Sequence, residues 1–341
     1  MGKKILFICG SNNQTMMMCQ IAQGLPEYHC VFTPFYADGL PGLLARLGLL
    51  NFTILGRPHQ RNCERFLRDQ GLLVDFGGEC GDYDLVVTGT DLIVQSNIRG
   101  LPLVLVQEGM TEPEGLLYYW VRDLKLPRYL ANTAATGLSN AYDAFCVASP
   151  GYRDLFLRKG ARPEKLFVTG IPNFDNVREY IDNDFPHRGY VLAATSSSRE
   201  TGKFHNRAAF IKKALRIANG RPLFFKLHPN EHIQRACKEI ERFAPAAKIF
   251  SAGNVHHMIA NCDALIAENS TVIYTALGLG KEVHADVDVD TLRSLTPIQN
   301  GGASAARIAD VCYYLLTTPL AERQRTLGRI RLRLNRLAAN F

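Results

Sequence analysis

The chain reads as α/β, built from two doubly wound domains in tandem, and three observations predict it. First, 341 residues are too many for one ordinary core; they suit two domains of roughly 150–180 residues each. Second, short and nearly continuous apolar runs recur along the chain, separated by stretches of helical character. That is how buried parallel strands and their crossover helices look. Third, these runs stop at small, polar or charged residues, and open α/β sheets bind their ligands at the carboxyl ends of strands.

In the first half, a strand over 3–9 leads into the polar turn Gly10-Ser11-Asn12-Asn13-Gln14-Thr15 and a helix over 16–24. This strand–loop–helix opening begins a doubly wound domain, and it is not the G-x-G-x-x-G of a dinucleotide site. A second strand over 31–35 and helices over 40–50 and 61–70 follow, the last stopped by Gly71. Further strands are expected over 83–87, 103–106, 144–148 and 166–169. The polar, Pro-containing stretch 182–188 has little periodicity and serves as the linker. Beyond it the alternation restarts, with strands over 190–194, 223–227, 248–250, 264–267 and 282–285 and helices over 206–219, 232–243, 255–261 and 271–278. The expected layout is a first domain over 1–181, the linker, a second domain over 189–319 and a C-terminal helix over 320–341, with a cleft between the domains.

Composition narrows the function classes. Apolar residues make up 47% and charged residues 21%, the balance of a globular protein, and no apolar run reaches a bilayer-spanning length. Residues 1–10 are too short in apolar character for a signal peptide, and Leu6 stands where N-myristoylation needs Ser or Thr. The nine cysteines (9, 19, 30, 63, 80, 146, 237, 262 and 312) are scattered without C-x-x-C, which points to reduced thiols in the cytoplasm and against a disulfide frame or structural zinc. The net charge of +7 is local, since the last 22 residues, from Leu320, hold six Arg and one Glu. That argues against a nucleic-acid binder. Leu327, Ile330, Leu334 and Leu337 recur there at helical spacing among the arginines, so the segment suits either a helix packed on its own domain or one at the anionic inner face of a membrane.

Three polar clusters close strands of the second half. They are Thr195-Ser196-Ser197-Ser198-Arg199-Glu200-Thr201-Gly202, then Lys226-Leu227-His228-Pro229, then Glu268-Asn269-Ser270-Thr271. Hydroxyls, cations and free N–H groups at helix starts suit phosphate, so Ser197, Ser198, Arg199, Lys226, His228, Glu268, Ser270 and Thr271 are the candidate nucleotide-diphosphate residues. The first half supplies carboxylates instead. Asp91 closes one strand and Glu108 the next, with Glu112 and Glu114 close behind. Glu108, and after it Asp91, is the candidate acid–base group, because burial beside a ligand raises a carboxylate pKa toward working pH. Ser11 and Asn13 line the first-domain loop on the acceptor side. His256 and His257 are adjacent and point about 100° apart on a helix, so no protein-held metal or cofactor is expected.

Lys226-Leu227-His228-Pro229 resembles the K-x-H-P motif of capsule-type bacterial transferases, which include Kdo transferases, polysialyltransferase-like enzymes and teichoic-acid glycerophosphotransferases. The run from Glu268 to Val283, with Ser270-Thr271 and Ala276-Leu277-Gly278-Leu279-Gly280-Lys281, is similar to their S-S/T-x-x-x-E-A-L-x-x-G-K-P-V segment. The resemblance implies the GT-B fold of two facing Rossmann-like domains, and donor phosphates held by His228, Ser270 and Thr271. Leu166-Phe167-Val168-Thr169-Gly170-Ile171-Pro172-Asn173-Phe174-Asp175 resembles a second family of that fold, the non-hydrolysing UDP-N-acetylglucosamine 2-epimerases, in their F-V-T-G-N-P-x-x-D hinge. Val106-Gln107-Glu108-Gly109 falls at their H-V-E-A-G segment, and both likenesses place Glu108 at the reaction centre. The chain departs from the epimerases where Ser197-Ser198-Arg199-Glu200-Thr201 replaces H-R-x-E-N and Ser270-Thr271-Val272 replaces S-G-G. It departs from the transferases in Glu282 after Gly-Lys and in Thr275, at the place of an acid that grips the donor ribose.

The resulting expectation is a glycosyltransferase or related phosphosugar transferase that moves a sugar from a nucleotide-activated donor to a cell-surface polysaccharide or lipid-linked acceptor. The nucleotide-sugar would be a substrate rather than a held cofactor. The alternatives are a nucleotide-sugar 2-epimerase and a non-catalytic binding protein on the same scaffold.

Overall fold

The computed structural model describes residues 2–51, 53–200, 204–319 and 322–338, without the side chains of 323–326. Two compact units result: one comprises 1–175 together with 297–341, the other 176–296.

In the first unit the elements are β1 (Lys4–Ile8), α1 (Asn12–Gln23), β2 (His29–Thr33), α2 (Gly39–Arg46), α3 (Arg57–Asp69), β3 (Leu85–Thr88), β4 (Leu103–Val106), α4 (Leu116–Asp123), β5 (Ala144–Val147), α5 (Pro150–Lys159) and β6 (Leu166–Val168). The strands form one parallel sheet in the order β2-β1-β3-β4-β5-β6. Chain order reverses at β1, so the switch point lies between the carboxyl ends of β1 and β3. Residues of β3, β4 and β5 are buried throughout, as strands covered on both faces must be.

The second unit runs through β7 (Val191–Ala194), α6 (Arg207–Ala218), β8 (Leu223–Lys226), α7 (Ile233–Phe243), β9 (Lys248–Phe250), α8 (Val255–Asn261), β10 (Ala264–Ile266), α9 (Val272–Gly278), β11 (Glu282–His284) and α10 (Val289–Leu295). Its sheet is also parallel, ordered β11-β10-β7-β8-β9, with the switch point between β7 and β10. Val191, Phe210, Ile211, Phe225, Ile240 and Ile266 are among the residues of its own core. Two doubly wound parallel domains are therefore present, as expected.

The expected boundaries are not those observed. The chain leaves the second unit at residue 297 and returns to the first, where α11 (Ser304–Thr317) and α12 (Arg323–Ala338) complete the core. Ile308, Val311, Cys312 and Leu315 of α11, and Leu327, Ile330 and Leu334 of α12, share one cluster with Ile5, Phe7, Met17 and Val87. Gly24, at the end of α1, lets α11 approach, since a Cβ there would stand 2.8 Å from that of Ala309. The return is pinned by hydrogen bonds: Ser304 N donates to Asp175 Oδ2 (2.7 Å), Asn300 Nδ2 and Ser304 Oγ donate to Thr169 O, and Ile298 N donates to Ala148 O. Gly170, at φ 80°, sits beneath this lock, where a side chain would overlap Ser304 Oγ. The 166–175 segment is thus a clasp within the first unit, and 304–338 covers the first sheet. Helical periodicity alone does not say which sheet a helix covers.

Among the described residues, no helix is long and apolar enough to cross a membrane. Because α12 is part of the first core, Leu334→Ala, at a side chain 5% exposed, is expected to cost about 2–4 kcal/mol in urea unfolding. A loss below about 0.5 kcal/mol, the range of ordinary surface substitutions, would place the helix outside the core.

Candidate functional site

The site of the first unit starts from a helix cap. Ser11 caps α1, accepting from Gln14 N through its hydroxyl (3.2 Å), while Gln14 Oε1 accepts from Ser11 N (3.3 Å). This reciprocal capping box satisfies two of the helix's orphan donors. It leaves the Ser11 hydroxyl proton and the Gln14 amide N–H free, and both go to Glu108 at the end of β4. Ser11 Oγ donates to Oε1 and Gln14 Nε2 donates to Oε2, each at 2.6 Å. Gly10 and Gly89 make room for Gln14: a Cβ at Gly10 would overlap its amide oxygen, and one at Gly89 would sit 3.3 Å from its side chain. The carboxylate therefore stands at the switch point of the sheet, half-buried and beside the N-terminus of α1. Beside it, Gln107 ties β4 to β5, accepting from Ala148 N and donating to Gly109 O.

Burial raises the Glu108 pKa above its ordinary 4.5, outweighing the Ser11 and Gln14 hydrogen bonds that favour the ionised form. A carboxyl whose pKa is raised in this way is a better proton acceptor than an exposed one.

Asp91 does not join it. Its side chain is fully buried, with Oδ1 accepting from Gly137 N (2.9 Å) and Oδ2 from Ser139 N (3.0 Å). It anchors the 128–140 segment and presents no free oxygen, so the expectation of a catalytic Asp91 is corrected to a structural one. Asn13 is exposed and its backbone carbonyl accepts from Asn173, while Ser11 belongs to the Glu108 network rather than to a separate acceptor loop.

In the second unit the three polar clusters do meet at strand ends, but their side chains divide between two tasks. The organising residue is Glu231, whose carboxylate is fully buried. It pairs with Arg207 at the start of α6, and it accepts from Thr195 Oγ1 and from His228 N (2.9 Å). These bonds fix the turn after β8 against the end of β7. Lys226 serves the same scaffold, with its buried ammonium donating to the carbonyls of Leu227 (3.1 Å) and Ser251 (3.4 Å). Burial lowers its pKa. Arg199 gives both terminal nitrogens to Glu239 on α7, at 2.7 Å each. Lys226 and Arg199 are therefore corrected from phosphate ligands to braces, because a buried cation is held by the nearest oxygens that neutralise or solvate it.

The other polar side chains at these strand ends are mostly neutral. His228 Nδ1 accepts from Asn230 N (3.1 Å), so in the neutral ring Nε2 carries the proton; desolvation lowers its pKa and favours that form. Ser196 Oγ lies 3.0 Å from Ser198 Oγ and donates to Glu268 Oε2 (3.3 Å), which links the ends of β7 and β10 across the switch point. Ser197, Ser198, Ser270 and Thr271 are half-buried there, and Thr271, the N-cap of α9, makes no side-chain cap bond. Thr201 and Gly202 lie outside the described residues. Thr275, at the position of a ribose-gripping acid in the transferases, is buried against His256 Nδ1 (2.9 Å).

Two residues without a motif complete the site. Arg207 is almost wholly buried, yet among the described residues its Nε and Nη1 have no hydrogen-bond partner. His205 Nε2 lies 2.8 Å from Glu268 Oε2 but off the line of a hydrogen bond, and its Nδ1 has no partner. Buried donors left unpaired cost free energy unless a ligand meets them. Among the described residues, no group of three His, Cys, Asp or Glu could hold a metal ion.

A prediction follows from the Glu108 network. A carboxyl whose folded pKa is raised lends stability that is complete below its unfolded pKa and is lost as pH rises through the folded one. Glu108→Gln is therefore expected to gain stability on the parent as pH rises above the ordinary carboxyl value of 4.5, by about 1.4 kcal/mol for each unit of the shift. Urea unfolding of both proteins across that rise in pH measures it, and parallel pH curves would refute the raised pKa.

No protein-family model matches the chain, and no curated protein sequence matches it. Solved structures do. A UDP-GlcNAc 2-epimerase from Neisseria meningitidis, bound to UDP-GlcNAc, is 11% identical with a TM-score of 0.54, over 91% of this chain and 99% of that one. S. aureus MnaA with UDP is 12% identical with a TM-score of 0.57, over 93% and 98%. The Methanocaldococcus jannaschii UDP-GlcNAc 2-epimerase, in complex with UDP-GlcNAc and UDP, is 13% identical with a TM-score of 0.52, over 91% and 99%. At such identities the likeness is one of fold, and it runs along nearly the whole chain. It corrects the expected function. Several structures that share this architecture are named UDP-GlcNAc 2-epimerases, and the glycosyltransferase reading gives way to its alternative.

Proposed function

We propose that the protein is a nucleotide-sugar 2-epimerase of the UDP-N-acetylglucosamine type. The observation that carries the nucleotide half is the set of buried nitrogens on Arg207 and His205 that lack a hydrogen-bond partner among the described residues, beside Ser196 and Glu268 at the switch point of the second sheet. A diphosphate supplies the acceptors these groups lack. His228 adds a neutral N–H donor, so the leaving diphosphate is stabilised by preorganised dipoles as its charge grows. The solved relatives from Neisseria meningitidis and S. aureus hold UDP-GlcNAc and UDP, which supports a uridine nucleotide.

The first unit contributes the proton chemistry. Inverting C2 of the sugar requires its C–H bond to break, and no carbonyl stands beside that carbon to acidify it. The electron pair must therefore flow toward C1 as the C1–O bond to the diphosphate breaks, leaving an alkene and free nucleotide. A second acid or a water on the other face delivers a proton to C2 as the diphosphate rejoins C1, while the first proton leaves to solvent, so atoms and charges balance. Glu108, with its raised pKa and its Ser11 and Gln14 hydrogen bonds, is the group suited to hold that proton.

Deuterium uptake at the sugar C2 in D₂O, followed by NMR on UDP-N-acetylglucosamine with no acceptor present, tests this reading. The parent protein is expected to exchange, and Glu108→Gln to lose roughly 10²–10⁴-fold in rate while keeping its thermal shift with UDP. Binding of UDP without any exchange in the parent would leave a binding protein and overturn the epimerase. Absence of a shift with UDP would overturn the nucleotide site as well.

A further inference from the structure

The outer face of α12 has no part in the chemistry above. Its inner face is spent on the core, where Leu327, Ile330, Leu334 and Ala338 are buried and the helix packs on β6 and α11. Arg331 is committed too, donating to Pro163 O at 2.8 Å. At about 100° per residue, Arg329, Arg333 and Arg336 fall together on the opposite side, with Leu332 on one flank of this band and Leu337 on the other. These five residues border one shallow depression. Leu332 is 55% exposed and Leu337 is 40% exposed. The helix, Arg-Gln-Arg-Thr-Leu-Gly-Arg-Ile-Arg-Leu-Arg-Leu-Asn-Arg-Leu-Ala, contains no acid. Among the described residues, none of Arg329, Arg333 and Arg336 enters an ion pair.

We propose that this face of α12 docks on an anionic lipid surface. The occupant follows from how charge and apolar area are combined. Three unneutralised guanidinium groups in a row match a plane of phosphate headgroups, to which Arg can bond bidentately. Leucines at both edges of that row are left in water by a polyanion such as nucleic acid, whereas at a bilayer they enter the boundary between headgroups and acyl chains. The helix lies in the interface with its core face still covered by protein, so docking needs no unfolding. This inference is independent of the epimerase reading.

The experiment is flotation of the full chain with vesicles of phosphatidylcholine alone or with about 30% phosphatidylserine, at 0.15 M salt. Deleting the helix is unsuitable, because it would strip the core; substitutions on the outer face leave it intact. The parent is expected to float with anionic vesicles and not with neutral ones. Arg329→Ala/Arg333→Ala/Arg336→Ala is expected to lose on the order of a hundredfold in partitioning, with its melting temperature unchanged. The Lys versions of the same three positions keep most of the binding, and Leu332→Ser, with all charges present, weakens it several-fold. Equal flotation with neutral vesicles, none with either, or undiminished binding by the triple Ala variant would overturn the proposal. So would full competition by a DNA duplex with no effect of Leu332→Ser, which would mark a generic polyanion site.

Discussion

A parallel sheet covered on both faces has nowhere to put a charged side chain except beyond the ends of its strands, and this constraint shapes both units. β3, β4 and β5 in the first sheet, and β7 and β8 in the second, are buried along their whole length. Asp91, Glu108, Lys226 and Glu268 all stand at or just past carboxyl ends. Such groups are close to a low-dielectric core, so each must find a partner or shift its pKa. Asp91 finds two backbone amides, Lys226 two carbonyls, and Glu231, in the turn after β8, finds Arg207. Among the described residues Glu108 has only the neutral partners Ser11 and Gln14, and burial raises its pKa.

The same constraint separates scaffold from site. A fully neutralised charge at a strand end fixes a turn and has nothing further to offer a ligand. The Arg199–Glu239 and Arg207–Glu231 pairs hold α7, the turn after β8 and the start of α6 in register with β7. What they hold in place is a row of hydroxyls and ring nitrogens, next to nitrogens of Arg207 and His205 that have no hydrogen-bond partner among the described residues. The strongest charges at these strand ends are thus spent on one another, and under the proposed function the neutral donors beside them serve binding.

The return of the chain to the first unit has a comparable logic. A six-stranded sheet needs helices on both faces, and α11 and α12 fill in what the helices between its strands leave open. The clasp formed by Thr169, Gly170, Asp175, Asn300 and Ser304 lets the chain cross between units twice within a short distance. With its inner apolar stripe committed to this core, α12 turns outward a face of arginines flanked by two leucines, and the two halves of its sequence pattern acquire separate explanations.

Much of this was legible from residues alone. Uninterrupted apolar runs identify buried parallel strands because their period does not depend on what covers them, and every strand of both sheets was expected within two or three residues of its place. The position of Glu108 just past a buried strand was legible as well, but the Ser11–Gln14 capping box that holds it was not read, although its S-x-x-Q spacing was there to find. Neither the destination of α11 and α12 nor the division of labour among the charges could be read in this way. A K-x-H-P or a Ser-Arg-Glu run shows which groups gather at a strand end, but not which of them neutralise one another. That is decided by partners far off in sequence, such as Glu239 for Arg199 and Gly137 for Asp91. Sequence alone determined the two sheets, their polar ends and the placement of Glu108, because these follow from local pattern and burial. Only the tertiary structure decided which charges are scaffold and which donors remain for a ligand, because pairing energy depends on distance in space.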